Sequence, residues 1–435
     1  MTTALRPHFA IVGSGPSGCY LAQSLLRGFP HSAITVFDRL VSPFGLIRYG
    51  VAADHQHTKA ITRQFERLFQ NPAVRFAGNV EVGRDVSLDE LRESYDAVIL
   101  ATGLSADRGL DLPGSTLPGV IGAGAITRAL NAHPDEPAAL PPLGSDVVLL
   151  GAGNVALDIL RFLVKGRDGY IESDIADPTL NSYLSDPALR ITMVSRSTAP
   201  FTKGDPLMIR ELAELPRASY VADSLLTRTP QAAAPERELD RVEAARIAAW
   251  EALLSPDRGE HPGPQVSLTF GAIPCRILGD AHVEGVEVLV DEKRVTIPAS
   301  SVITAVGFAA SGHLAHLLSA SSEIGLIDTG LYRTGWAKRG PRGAIPENRA
   351  CAKAVAAEIT ADIASGKLPV LASRLGFSGL PARVSTVAIN YEQWLTLEAH
   401  EREHAPSDRI RQKISEHDRM VAIARGEASD PASTA

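Results

Sequence analysis

Apolar residues in this chain form short continuous runs that alternate with stretches of helical spacing. The run HFAIV starts at His8, a glycine-rich turn follows it, and apolar residues then recur at Leu21, Leu25 and Leu26. Strands of a parallel sheet are covered on both faces and read as continuous apolar runs, whereas a helix repeats every three to four residues. The pattern therefore predicts a strand–turn–helix unit, with further strands at AITVFDRL and YDAVILATG.

The same unit recurs in the middle of the chain. Residues 131–144 are rich in proline and alanine, a composition typical of a linker or surface connection. SDVVLLGAGNVALDILRFL then predicts a second strand, glycine turn and helix, and further strands are predicted at RITMVSRS, VSLTFG, GVEVLV and SVITAVGF. Two such units predict an α/β fold with two Rossmann-like, three-layer dinucleotide-binding domains.

The end of the chain has a different character. A helix is predicted from Asn348 to Ile363, and the charged tail from Glu392 to Arg425 is also predicted to be helical. Residues 426–435, GEASDPASTA, contain too few apolar side chains to order themselves, so they are predicted to be disordered.

Composition and charge exclude several classes of function. The chain has 435 residues and a formal net charge of −7, which argues against nucleic-acid binding. It contains no apolar run of about 18 residues and begins without a secretion signal, so no membrane span is predicted. Cys19, Cys275 and Cys351 form neither a CxxC pair nor a zinc-like spacing, so neither a disulfide framework nor a metal site is indicated. We therefore expect a cytoplasmic protein, since free cysteines are typical of that compartment.

The first glycine turn, GSGPSG, fits the GxGxxG pattern of dinucleotide-binding folds. Gly13 permits the tight turn, Gly15 lets the backbone approach a pyrophosphate, and Gly18 allows the helix to pack closely on the strand. Asp38 ends the next strand, where its carboxylate can accept hydrogen bonds from ribose hydroxyls. A lone GxGxxG is weak evidence, but strand, helix and acid together predict an adenine dinucleotide site.

The second glycine turn, GAGNVALD from Gly151, is a GxGxxA variant of the pattern. An acid after the following strand would favour NAD, whereas an arginine suits the extra phosphate of NADP. Ser195, Arg196 and Ser197 stand there, which favours NADP(H); an ordinary surface arginine is the alternative. Two dinucleotide sites imply FAD in one and a nicotinamide cofactor in the other. The absence of a CxxC pair argues against a disulfide reductase.

Five segments in fixed order, PFGLIRYGVAADH, GNVEVG, ATG, GAGNVALD and GWAKRGPRG, resemble the adrenodoxin reductase-like branch of ferredoxin–NADP reductases over almost the whole chain. The tail around Arg409, Arg411 and Lys413 resembles that family more weakly. The resemblance implies an FAD-binding domain that is discontinuous in sequence. Residues 1–108 form its first part, 109–330 form the NADP(H)-binding domain, and 331–425 complete the FAD domain and add the helical tail.

The resemblance also implies the residues of the site. His55 and Asp158 match positions near the flavin that form a proton-handling polar pair in relatives, and they are the catalytic candidates. The nicotinamide cofactor is expected at Gly153, Asn154, Val155, Arg196 and Glu211. FAD is expected at Gly13, Gly15, Pro16, Ser17, Gly18, Asp38, Arg39, Gly45, Leu46, Val82, Ala101, Thr102, Gly103, Gly335, Trp336, Gly343, Ala344 and Ile345.

The family reaction would make the chain an FAD-dependent NADPH oxidoreductase. A hydride passes from NADPH to flavin N5, and single electrons then pass to a ferredoxin-type iron–sulfur protein, while the protein supplies orientation and electrostatics. One alternative is a pathway-specific flavoenzyme that acts on a small organic substrate in the same cleft. Another is a flavin-binding protein with a structural or regulatory role, which the retention of both glycine turns disfavours.

Three departures from the family pattern bear on specificity. Relatives usually have a second arginine where Ser197 stands, so NADH use is possible unless Lys203 supplies the phosphate contact. Arg342 replaces a usual threonine, which makes the loop more basic. Pro346 and Glu347 replace a Gly-Thr pair, and a negative charge beside the isoalloxazine is expected to lower the flavin potential.

Overall fold

The computed structural model describes residues 5–221, 238–318, 321–343 and 345–427. Within these ranges the strands are, in chain order, His8–Val12 (β1), Ala33–Phe37 (β2), Val74–Ala77 (β3), Ala97–Leu100 (β4), Ala106–Asp107 (β5), Val120–Gly122 (β6), Asp146–Leu150 (β7), Arg190–Ser195 (β8), Ser219–Val221 (β9), Gln265–Phe270 (β10), Ile273–Leu278 (β11), Gly285–Val290 (β12), Lys293–Pro298 (β13), Ser301–Thr304 (β14), Phe308–Ala309 (β15), Leu326–Asp328 (β16) and Leu331–Arg333 (β17).

The helices connect these strands and form a C-terminal group. The α-helices are Pro16–Gly28 (α1), Leu46–Tyr49 (α2), Gln56–Lys59 (α3), Thr62–Phe69 (α4), Leu88–Ser94 (α5), Ala123–Leu130 (α6), Asn154–Val164 (α7), Asp177–Leu184 (α8), Pro206–Glu214 (α9), Arg241–Leu253 (α10), Trp336–Arg339 (α11), Ile345–Ala364 (α12), Ala382–Val387 (α13), Tyr391–Glu403 (α14) and His417–Ala424 (α15). Short 3₁₀ turns lie at Arg167–Tyr170, Ala199–Phe201, Pro256–Arg258, Ala315–Leu317 and Gly376–Gly379.

The first sheet joins strands from both ends of the chain. Its order is β16-β17-β4-β1-β2-β3, and its pairs are parallel except for β16 with β17. Side chains alternate across β1. Phe9 and Ile11 join a core with α1 and α12, whereas Ala10 and Val12 join a second core on the other face. The sheet is therefore buried on both faces, as its apolar runs predicted.

The second sheet lies in the middle of the chain and is wholly parallel. Its order is β6-β14-β7-β8-β10-β9. Val147 and Leu149 of β7 pack with α6, α7 and α10, while Val148 and Leu150 pack against the antiparallel sheet β11-β12-β13. Both predicted strand–turn–helix units are present, each at the centre of a three-layer arrangement, so the predicted α/β fold is confirmed.

The chain passes between the two sheets at a small antiparallel pair, where Phe308 lies opposite Asp107 and Ala309 opposite Ala106. Strand β16 then lies in the first sheet, so the chain has already returned there by Leu326. The sequence-based boundary at residue 330 is therefore too late. A three-residue strand has no periodicity that could have marked the return.

Two further expectations need correction. Residues 131–144 are not simply a surface connection, because Asn131 and His133 are buried. The tail is not one helical stretch, since α14 and α15 are separated by a non-helical segment in which Arg409 forms a parallel bridge with Ser173. Of the predicted disordered end, residues 428–435 lie outside the described residues. Across the described ranges, no helix is both long and apolar enough to cross a membrane.

Candidate functional site

The first glycine turn connects β1 to the start of α1, and its geometry requires glycine at two points. Gly13 has a φ of +113°, and a Cβ there would come within 2.4 Å of the Ala101 carbonyl oxygen. A Cβ on Gly18 would lie 2.0 Å from the Gly13 oxygen. The first of these contacts places Ala101 and Thr102, which follow β4, beside the turn.

An open backbone surface remains on the outer side of this turn. A Cβ on Gly15 would meet only the Gly45 Cα, at 4.0 Å, and one on Gly103 would meet nothing within 4 Å. Phe44 donates its N–H to the Ser14 carbonyl oxygen at 3.2 Å, which brings the loop of Gly45 and Leu46 against the turn. Bare backbone at the N-terminus of a 13-residue helix fits the pyrophosphate of a dinucleotide. The residues present at the first glycine turn therefore fit the pyrophosphate of FAD.

Asp38 follows β2 and already accepts three hydrogen bonds within the chain. One oxygen accepts from the N–H and hydroxyl of Ser14, at 2.9 and 2.5 Å, and the other accepts from the Leu40 N–H at 3.0 Å. A carboxylate has about four acceptor positions, so about one remains for a ribose hydroxyl. The neighbouring Arg39 pairs with Asp135 at 2.6 Å, and Val82 is buried.

The loop that returns from the far end of the chain packs directly on the first glycine turn. Gly335 has a φ of +65°, and a Cβ there would come within 1.9 Å of the Ser17 hydroxyl oxygen. The Trp336 indole N–H donates to the Gly343 carbonyl oxygen at 3.2 Å, and its ring stacks on Phe308 with a centroid distance of 5.4 Å. The structure thus brings Gly335 and Trp336 to the predicted flavin site. Ile345 begins α12, and Ala344 lies outside the described residues.

The second glycine turn has the same construction on the second sheet. Gly151 has a φ of +131°, and a Cβ there would meet the Ala305 oxygen at 2.5 Å. Gly153 precedes α7, and its missing Cβ would meet only the Cβ of Lys203, at 3.8 Å. Asn154 accepts a hydrogen bond from the Asp205 N–H, and Val155 lies beside it. Backbone at this turn is therefore also open to a dinucleotide.

Arg196 follows β8 with an exposed side chain. Among the described residues no carboxylate pairs with it. Lys203, also exposed, lies beside the second glycine turn, on the side where Gly153 leaves the backbone open. Lys203 at this turn and Arg196 at the end of β8 thus have no acidic partner among the described residues, which fits an anionic ligand.

The catalytic candidates meet around an arginine that the sequence did not single out. Arg161 of α7 donates to His55 Nε2 and, at 2.6 Å, to the Asp54 carboxylate. Its NH1 lies 3.5 Å from Asp158 Oδ1, and its Nε lies 3.8 Å from Glu211 Oε2. His55 Nε2 is itself 3.5 Å from Glu211 Oε2. Arg161 follows Asp158 by one helical turn, and this i,i+3 spacing was the only sequence signal for it.

This cluster shifts the pKa of both catalytic candidates. Burial raises the pKa of Asp158 to about 7, against the opposing effect of Arg161. Burial and the Arg161 charge lower the pKa of His55. Because a guanidinium can only donate, His55 Nε2 accepts and the proton of the neutral ring is on Nδ1.

Three polar atoms of the cluster, Asp158 Oδ1, Arg161 Nε and Glu211 Oε2, are buried and form only the longer ion-pair contacts described above. The Glu211 side chain as a whole is 42% exposed, so its carboxylate can be reached by a ligand. A carboxylate accepts hydrogen bonds from N–H groups, which fits a carboxamide such as that of nicotinamide. The residues present therefore also fit the second dinucleotide.

Comparisons with known proteins agree with these two sites. A family model described as "Pyridine nucleotide-disulphide oxidoreductase" matches residues 7–168. Cindoxin reductase of Citrobacter braakii is 39% identical over 432 residues, which cover 97% of this chain and 92% of the relative. The NADPH-ferredoxin reductase FprA of Mycobacterium leprae is 33% identical over 382 residues, covering 79% of this chain and 82% of the relative.

A solved structure agrees as well. The structure of Mycobacterium tuberculosis FprA in complex with NADPH superposes with a TM-score of 0.85 at 28% identity, covering 97% of this chain and all of that chain. The resemblance to the family, the enzyme class and the cofactors expected from the sequence are confirmed. Identity at this level along almost its whole length means that the chain belongs to the adrenodoxin reductase-like branch of ferredoxin–NADP reductases, oxidoreductases that use FAD and NADP(H).

Proposed function

We propose that this chain transfers electrons from NADPH, through FAD, to a ferredoxin-type iron–sulfur protein. The observation that carries the proposal is a contact between the two glycine-turn units. His55, from the connection after β2, reaches Arg161 and Glu211 of helices that follow β7 and β8. A hydride donor and acceptor, one from each unit, would meet at this contact.

The two sheets support the predicted division of the chain. We assign FAD to the first sheet, built from residues 1–108 and completed by the segment that returns at β16, and NADP(H) to the second sheet. FAD, when bound, accepts a hydride and releases its electrons one at a time, which is the chemistry that the side chains alone lack.

The chain's own residues bind, orient and hold protons. The open backbone at Gly15 and Gly103 receives the FAD pyrophosphate, and Arg196 with Lys203 receives the phosphate of NADPH. Glu211, whose side chain is partly exposed, orients the nicotinamide carboxamide. His55 stays neutral near pH 7 and holds its proton on Nδ1, whereas Asp158 exchanges a proton near that pH.

The named relatives support the acceptor. The relative from Mycobacterium leprae is called an NADPH-ferredoxin reductase, and further relatives, from Bos taurus and Homo sapiens, are called NADPH:adrenodoxin oxidoreductases. We propose a cytoplasmic site of action, supported by three cysteines that are all free.

The test is a two-step stopped-flow experiment on protein reconstituted with FAD. We expect NADPH to bleach the flavin absorbance, NADH to do so more slowly, and a ferredoxin to restore it in one-electron steps. Protein that takes up no FAD would contradict the whole proposal. Reduction by NADPH followed by slow reoxidation with every ferredoxin would instead favour the flavoenzyme acting on a small organic substrate.

A further inference from the structure

Five charged side chains are buried where the first sheet's connections, the second domain and the C-terminal tail meet. Lys59 Nζ lies 2.7 Å from Asp174 Oδ1, and Lys413 Nζ lies 3.0 Å from Asp174 Oδ2. Arg48 pairs with Glu401 at 2.6 Å. Two lysines thus share one carboxylate at a depth where an unpaired charge is costly. The two ammonium groups of this cluster therefore need further hydrogen-bond acceptors.

Asn131 is one such partner, and its contacts fix the direction of its amide. Its Oδ1 accepts from Lys59 Nζ at 2.7 Å and from Lys413 Nζ at 2.8 Å. Its Nδ2 donates to the carbonyl oxygens of Val51 and Thr127, at 3.1 and 3.0 Å. The amide therefore connects the lysine pair to the backbone at Val51.

The segment that leads to His55 is held at three points by this cluster. Asn131 binds the Val51 carbonyl oxygen, and the Asp174 N–H donates to that of Ala53 at 3.2 Å. Lys413 Nζ donates to the Arg48 carbonyl oxygen at 3.1 Å. The next residues along the chain, Asp54 and His55, are the ones that reach Arg161. A small cavity of about 20 Å³, lined by Asn131, Asp54, Asp158 and Arg161, separates the two clusters.

Every donor of the Lys413 ammonium group has its own acceptor. The three N–H groups match Arg48 O, Asn131 Oδ1 and Asp174 Oδ2. An apolar side chain of the same length would fill the space but leave Asp174 Oδ2 without its donor, and Lys59 alone would then serve Asn131 Oδ1 and the Arg48 carbonyl oxygen. The ammonium therefore fixes the relative positions of three segments that the chain brings from distant parts of the sequence.

We propose that Lys413 is a positioning residue for His55: through Asn131 and Asp174 it holds the segment of Val51–Ala53, and thereby keeps the imidazole against Arg161 and Glu211. The proposal rests on the role assigned to His55 above. A tail residue that touches neither dinucleotide turn thus takes part in aligning the reacting end of the nicotinamide site.

The first test compares Lys413→Met with Arg411→Met in the FAD-loaded protein. Arg411 is a matched control, because it belongs to the same tail segment but pairs with Glu398 of α14. We expect K413M to raise the pKa of the His55 ring, because burial and the Arg161 charge lower this pKa in the parent protein. The titration of the ring is followed by NMR, and its signal is assigned by comparison with H55Q. We also expect K413M to slow flavin reduction by NADPH about tenfold. R411M should leave both unchanged.

Two further variants separate positioning from stability. In the H55Q background K413M should cause no additional loss of rate, since residues that act through one another are not additive. Asn131→Asp keeps the oxygen that faces both lysines and balances their charge, but replaces the donor to Val51 by an acceptor. We expect N131D to fold and still shift the His55 titration.

The proposal is overturned if K413M lowers only the melting temperature, or if N131D leaves the His55 titration where it is in the parent protein. N131D decides the question if K413M does not fold. The titration of His55 is recorded without NADPH, so the expected pKa shift can be observed even if the parent protein proves not to reduce a ferredoxin. Failure of the proposed function would appear separately, as absent flavin reduction in the parent protein.

Discussion

Asp158 and His55 face the same guanidinium group, but their pKa values are shifted in opposite directions. Burial raises the pKa of the carboxyl group to about 7 and lowers that of the imidazole. Near neutral pH Asp158 is therefore protonated about half of the time, whereas His55 is neutral. At the residue scale the cluster contains one group that exchanges a proton under working conditions and one that does not.

The raised pKa of Asp158 predicts a pH-dependent effect of Asp158→Asn on stability. The ordinary value is 3.8 and the folded value is about 7. Between these values the unfolded chain releases the proton while the folded chain keeps it, so the wild type loses stability as pH rises. The melting temperature of D158N, minus that of the wild type, should grow from pH 4 to 7 and then stay constant. The corresponding change in the free energy of unfolding is expected to reach about 4 kcal/mol.

Asp146→Asn provides a control of opposite sign. The Arg190 side chain lowers the pKa of Asp146, so this carboxylate contributes stability above its unfolded pKa that is lost as pH falls. D146N should therefore be less stable than the wild type at pH 7 and equal to it in strong acid. A D158N curve parallel to that of the wild type would show that Asp158 is ionised in the folded protein.

Arg196 gives a second prediction at this scale, on cofactor selectivity. Charge-assisted hydrogen bonds to a phosphate contribute about 1.5–3 kcal/mol. Arg196→Ala should therefore weaken binding of 2′,5′-ADP at least tenfold and leave 5′-ADP unaffected, as measured by calorimetry. Arg190→Ala, at the other end of β8, is the control that should change neither affinity. If only Lys203→Ala weakened 2′,5′-ADP binding, the lysine would be the phosphate ligand.

At the scale of elements, the return loop and α11 complete the first glycine turn, although Gly335 and Ser17 are about 320 residues apart in the sequence. Gly335 and Gly340 flank α11 and both have positive φ, but only Gly335 faces another part of the chain. A Cβ there would overlap the Ser17 hydroxyl, whereas one on Gly340 would meet nothing within 4 Å. The contact between α11 and α1 thus depends on one missing methyl group.

Gly335→Ala and Gly340→Ala are a matched pair for this contact. Both substitutions place an alanine at a positive φ, which destabilises the protein by about 1 kcal/mol. G335A must also displace Ser17 from the start of α1, so we expect it to weaken FAD binding markedly, as followed by flavin fluorescence. G340A should retain FAD like the wild type. Equal FAD affinities of the two variants would mean that the return loop adjusts without disturbing the glycine turn.

At the scale of the whole molecule, features built from contiguous residues could be predicted from the sequence, whereas contacts between distant residues could not. Both glycine turns were predictable, because the strand, the positive-φ glycine and the helix are contiguous, as at Gly13 and Gly151. Arg161 and Lys413 were not, since their importance comes from partners more than a hundred residues away. The return at β16 was placed too late because three residues carry no pattern. The individual cofactor contacts stay predictions until a ligand is bound.

The order of the first sheet has a consequence for how the protein is made. Strand β17 pairs with β4, and about 230 residues separate Leu100 from Leu331. At about 5–20 residues per second, a ribosome needs roughly 10–50 s to deliver the missing strand. The second sheet, which ends at Thr304, is complete before then. The inserted half can therefore fold while the N-terminal half still has an unfilled edge at β4, open to chaperones or to wrong partners.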